Sequence, residues 1–178
     1  MPPRKAHAGT FKGTRRGARV AVVRARWNED ITLALERGAI ERATAAGASV
    51  DLFEVAGSFE LPAAVALLAD SGRYDAVVPI GCLVRGETPH FDVLAHSVAK
   101  GLMDLTLTYP TAIPFGVLTC DSIEQAQERA GGTEGNKGEE WMDAALEMVT
   151  LRQTLAREPA SARRSARKTS RASARSTR

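Results

Sequence analysis

Apolar runs and helical patterns alternate along this chain. ARVAVVRA (18–25) is a nearly continuous apolar run of strand length. ASVDLFEV (48–55), YDAVVPIGCLV (74–84) and AIPFGVLTC (112–120) repeat the theme, and runs of this kind bounded by polar turns read as buried strands. Between them the apolar period lengthens to that of a helix. Ile31, Leu35, Ala39 and Ile40 share one helical face, which Gly47 stops. Leu61 to Leu68 predicts a second, short helix ending near Asp70, Ser71 and Gly72. Residues 90–107 predict a longer one, with Val93, Leu94, Val98, Leu102 and Leu105 at helical spacing. Residues 122–132 predict another, ended by Gly131 and Gly132, and a last helix runs from Gly138 to Leu155. Apolar strands joined through helices require a mainly parallel sheet covered on both faces. The expected fold class is therefore α/β, a three-layer α/β/α sandwich on a four-stranded, mainly parallel sheet. There is no internal repeat and no sign of a second domain.

Charge changes the picture only when it is divided along the chain. Residues 1–19 carry six Lys/Arg and no acid, and residues 157–178 carry eight Lys/Arg against Glu158 alone. The stretch between them holds ten basic and twenty acidic residues, so a nominal +3 hides an acidic domain at −10. The expected organisation is a basic arm over 1–17, a folded domain over 18–156 and a basic tail over 157–178. The tail is rich in Arg, Ser and Ala and has no apolar periodicity, which predicts disorder. A sequence pI near 9.1 suggests nucleic acid. The acidic domain, with few aromatic residues and no recognition motif, reduces that to weak polyanion contact through the tails.

No apolar run approaches the roughly 20 residues that span a bilayer, and the first residues lack the hydrophobic segment of a secretory signal. Cys82 and Cys120 end two predicted strands, have no metal-ligand spacing and do not suggest a disulfide framework. A cytoplasmic protein without a metal or membrane partner is expected.

In sheets of this type, ligands bind outside the carboxyl ends of the strands. The unusual chemistry of this chain falls there: RWNED after the first strand, AGSFELP after the second, RGETPHFD after the third and CDSIEQ after the fourth. Thr88 is placed to cap the helix that follows the third strand, and Pro89 suits its first turn. Backbone N–H groups around Gly86–Thr88 at a positive helix end would then seat an anion such as phosphate. Arg85 reads as half of a structural ion pair, and Cys120 as inert.

In that order and spacing, AGSFELP, GCLVRGETPHFD, FGVLT, QAQERAG and GNKG make residues 18–152 similar to the 6,7-dimethyl-8-ribityllumazine synthase family of riboflavin biosynthesis. The resemblance implies a flavodoxin-like fold. It implies condensation of 5-amino-6-(D-ribitylamino)uracil with 3,4-dihydroxy-2-butanone 4-phosphate, with loss of phosphate and water and without a metal or redox cofactor. By the same resemblance Trp27 stacks on the pyrimidine, where phenylalanine is usual. Ser58, Phe59 and Glu60 fix the pyrimidine and ribityl chain, and Cys82, Leu83 and Val84 line the pyrimidine pocket, partly through backbone. Glu87, Thr88 and Arg129 hold the phosphate. His90 shuttles protons, as an imidazole does near neutrality. Phe115 closes the site from an adjacent subunit, and Lys137 and Glu140 are further charged positions. Ala56 stands where the family usually has proline. The family also implies a homopentamer with shared sites, leaves a sixty-subunit shell open, and raises an association with riboflavin synthase. A catalytically dead relative is the competing reading, and Trp27, Glu60, Thr88, His90, Arg129 and Lys137 argue against decay.

Overall fold

The computed structural model describes residues 17–157. The expected arm (1–17) and tail (157–178) lie outside the described residues except for Gly17 and for Arg157, which ends the last helix. Four parallel strands, β1 (Arg19–Ala25), β2 (Ser49–Val55), β3 (Ala76–Val84) and β4 (Val117–Cys120), form a sheet in the order β2-β1-β3-β4. The crossovers carry α1 (Glu29–Ala45), α2 (Leu61–Asp70) and α3 (His90–Thr108). After β4 come α4 (Ile123–Arg129), a small antiparallel pair β5 (Ala130–Gly132) and β6 (Gly135–Asn136), and α5 (Lys137–Arg157). This is the flavodoxin-like α/β/α sandwich.

Side chains of β1 alternate between two cores. Val20 and Val22 pack with Ile31, Leu35, Met142 and Leu146 under α1 and α5. Ala21, Val23 and Ala25 pack with Leu61, Val65, Val98 and Leu102 under α2 and α3. That two-sided burial explains why β1 and most of β3 read as continuous apolar runs. β2 is instead an edge strand with Leu52 about half exposed, so its run is less buried than its composition suggests.

The fourth strand starts later than the apolar run predicts. Ala112 makes an isolated bridge to Ala76, and regular pairing resumes only at Val117. Val77 N donates to Ala112 O at 2.9 Å and Gly81 N to Gly116 O at 2.9 Å. Pro79, midway between these donors, has no N–H to continue the ladder. Gly116 fits here because a Cβ would sit 1.8 Å from Pro79 O. The β5–β6 hairpin is likewise a departure from the expected helix end. Gly131 (φ 115°) and Gly135 (φ 75°) adopt backbone angles that L side chains rarely reach.

α5 lies close against α1. A Cβ on Gly138 would meet Leu35 O at 1.9 Å, and Asn136 bridges the contact, donating to Ala34 O at 2.8 Å and accepting from Gly138 N at 2.8 Å.

Candidate active site

The chain reverses its order across the sheet between β1 and β3, and a cleft of about 700 Å³ opens at their carboxyl ends. Three loops build it. Arg26 N and Trp27 N donate to Val55 O and Ala56 O, zipping the loop after β1 to the loop after β2. Asn28 takes the left-handed conformation (φ 58°), and its Nδ2 donates to Cys82 O at 2.9 Å, joining the same loop to β3. Asn28 O accepts from Ile31 N and Thr32 N and starts α1. This geometry leaves the Trp27 ring about three-quarters exposed at the rim.

In the second loop, Glu60 Oε2 accepts from Gly57 N at 2.9 Å and closes a 3-10 turn over Ser58–Glu60. Ser58 is buried against Gly81, and its Oγ has no hydrogen-bond partner among the described residues. A buried hydroxyl normally finds a partner, and this one lies beside the cleft without one. Phe59 is largely exposed at the cleft edge.

The third loop follows β3. Arg85 grips Asp92 through Nη1 at 3.0 and 3.1 Å, donates from Nε to Asp121 at 2.9 Å, and lies 4.2 Å over the Phe91 ring. Its hydrogen bonds hold the Asp92 carboxyl below the usual carboxylate range. The expected ion pair is therefore a brace across the turn. Thr88 does not cap α3 as the sequence suggests. Pro89 occupies the N-cap position, and no side chain caps the helix. A Cβ on Gly86 would meet nothing within 4 Å, so ligand atoms can approach the backbone closely there.

Trp27, Ser58, Phe59, Glu60, Cys82, Leu83, Val84, Thr88 and His90 all line this cleft. Cys82 belongs to the α1/α5 core and presents its backbone to the cleft loops. Burial and the neighbouring Cys120 push its thiol up to about 12. Native protein at pH 8 is thus expected to resist iodoacetamide while both thiols react after denaturation, as intact mass will show; rapid labelling of the native form would contradict the burial.

Glu87, Phe115, Arg129, Lys137 and Glu140 do not line the cleft of this protomer. Phe115 is nearly half exposed on the segment that leads from α3 into β4. Arg129 Nη1 donates to Gln125 O at 2.9 Å at the end of α4. Lys137 and Glu140 pair at 2.5 Å at the start of α5, near α1. Asn28, Phe91, Val93 and Leu94 line the cleft without having been anticipated. The Asn in RWNED is the readable signal, because asparagine tolerates the left-handed region better than most residues. Among the described residues no cluster of His, Cys, Asp or Glu is placed to hold a metal ion, and no helix is long and apolar enough to cross a membrane.

A doubly wound sheet with an aromatic rim, a buried free hydroxyl and a histidine at a helix start over one cleft defines an α/β enzyme acting on small molecules. The chain's relatives make this specific. The family model for 6,7-dimethyl-8-ribityllumazine synthase matches residues 17–153. A 6,7-dimethyl-8-ribityllumazine synthase from Gemmatimonas aurantiaca is 42% identical over 146 residues, covering 79% of this chain and 89% of the relative. One from Anaeromyxobacter dehalogenans is 43% identical over 157 residues, covering 86% and 96%. The chain belongs to the 6,7-dimethyl-8-ribityllumazine synthase family, and is a transferase of riboflavin biosynthesis.

Proposed function

We propose that the cleft binds 5-amino-6-(D-ribitylamino)uracil against Trp27 and joins it to 3,4-dihydroxy-2-butanone 4-phosphate seated at residues 86–88. The observation that carries this reading is that one cleft collects Trp27 and Ser58 from the loops after β1 and β2 and His90 from the start of α3. The indole offers a broad apolar face to the pyrimidine. Ser58 Oγ and the Glu60 carboxylate meet polar ligand groups, and the backbone of Cys82–Val84 forms the pocket wall. The pyrimidine amine attacks the ketone and water leaves to give an imine. Phosphate is then eliminated, and the ribitylamino nitrogen closes the ring with loss of a second water. His90 moves protons between these steps. Mixing the purified protein with both substrates tests the reading: lumazine absorbance and one equivalent of phosphate should rise together, and no product would refute it.

We further propose that a neighbouring copy completes the site, in a pentamer. Among the described residues no Lys or Arg lines the cleft, although the proposed reaction needs phosphate bound there, and Arg85 is held by Asp92 and Asp121. Arg129 and Phe115 lie outside the protomer's own cleft and suit a site shared between subunits. Closure of pentamers into a shell and association with riboflavin synthase are further steps that sedimentation with and without riboflavin synthase will resolve. Cytoplasmic residence fits two free, buried cysteines.

The tail carries a separate proposal. Multiplied in an oligomer, its weak contacts with polyanions gain avidity and fall steeply with salt. Deleting residues 157–178 is expected to leave turnover unchanged and to abolish RNA co-purification at low salt. Lost activity or failed assembly would make the tail structural.

A further inference from the structure

Arg24 lies one residue from the end of β1, within an otherwise apolar run, and is only 3% exposed. Its side chain falls on the α1 face of the sheet, opposite the cleft. A buried guanidinium must be paired, and the way this one is paired places it under the site. Nη2 donates to Glu54 near the end of β2. Nη1 donates to Thr32 Oγ1 at 3.4 Å and lies 3.6 Å from Glu29, and Nε lies 3.4 Å from Glu36. Glu29 directly follows Asn28, and Glu54 directly precedes Val55, whose carbonyl accepts from Arg26 N. One planar fork thus ties together the departure points of the two loops that carry Trp27 and Ser58.

We infer that Arg24 is a positioning residue for the stacking wall of the cleft, acting through Glu29 and Glu54 on the backbone that carries Trp27. The inference rests on the stacking role proposed for Trp27. The Trp27 ring is too exposed to be oriented by its own packing, so its direction is inherited from the backbone of residues 26–28. On the cleft side that backbone is held by Asn28 and by two bonds to residues 55 and 56. From beneath it is held by Arg24. Glu36 is the exception among the partners: it is only 12% exposed, burial raises its pKa, and its role is to balance the buried charge. Glu29 and Glu54 are half or more exposed, so losing their charges costs the core little.

The test separates positioning from mere structure. In a Trp141→Phe background Trp27 is the sole tryptophan, since the chain has two, and its fluorescence anisotropy reports loop order without reference to activity. The pair Glu29→Gln with Glu54→Gln should lower that anisotropy. It should raise KM for the pyrimidine about three- to tenfold, with kcat and KM for the butanone phosphate within about twofold of wild type. Arg24→Met combined with Glu36→Gln removes the buried charge together with its buried counter-charge. It should give the same pyrimidine KM shift in a protein that still folds. Wild-type anisotropy and pyrimidine KM in the Glu29→Gln, Glu54→Gln protein would overturn the inference. If anisotropy falls but neither that protein nor Trp27→Ala changes the pyrimidine KM, Arg24 does order the loop and it is the stacking role of Trp27 that fails.

Discussion

Replacing His90 with alanine is expected to lower turnover by about 10²–10⁴-fold while the fold and assembly persist. The imidazole sits exposed at the first residue of α3, lines the cleft and supports no core contact. Its removal therefore takes away proton transfer and little else. The amine and ketone condense slowly without help, and that unaided rate sets the floor of the measured loss. Stopped-flow absorbance of the lumazine, with circular dichroism as the control for folding, checks the prediction. Wild-type turnover in a folded His90→Ala protein would remove His90 from the mechanism.

Arg129→Ala is expected to raise KM for the butanone phosphate by about one to two decades and to leave KM for the pyrimidine nearly unchanged. A charged, two-pronged contact to phosphate contributes about 1.5–3 kcal/mol. Arg129 does not line the cleft of its own protomer, so the effect should also complement between subunits. Co-refolded His90→Ala and Arg129→Ala chains should recover activity at low butanone phosphate that neither has alone. No recovery would place Arg129 in the same subunit's site, and equal effects on both substrates would place it outside the phosphate seat. Inorganic phosphate should compete with the butanone substrate in wild type and lose that effect in Arg129→Ala.

The four strands and five helices were legible because both faces of the sheet are covered, and coverage leaves plain apolar runs in the sequence. The exceptions have local causes. The late start of β4 was written in Pro79, which sits on the neighbouring strand and so has no signature in the run it interrupts. The β5–β6 hairpin hid in AGGTEGN, where glycines that looked like a helix stop supply the angles of a tight antiparallel turn. Thr88 suggested a cap by residue type, but the helix begins one residue too late for it. The cleft was legible as loops at strand ends, and three of the four line it, while CDSIEQ after β4 does not. The cleft's brace was not legible: Arg24 sits inside a run that reads as a strand, and its carboxylates are scattered over positions 29, 36 and 54. Such a cluster becomes visible only once β1, β2 and α1 are placed together.

The strand order has a consequence for how this molecule is born. β1 pairs with β2 on one side and, through Val20–Arg24, with Ala76–Ile80 on the other. On a ribosome adding roughly 5–20 residues per second, the end of β3 follows the end of β1 by about 3–12 s. During that interval one edge of a very apolar strand has no neighbour to bond. Contacts between such distant segments also form slowly in the free chain. The nascent chain therefore makes the Trp27 wall of its pocket first and carries a bare strand edge until the wall bearing His90 arrives.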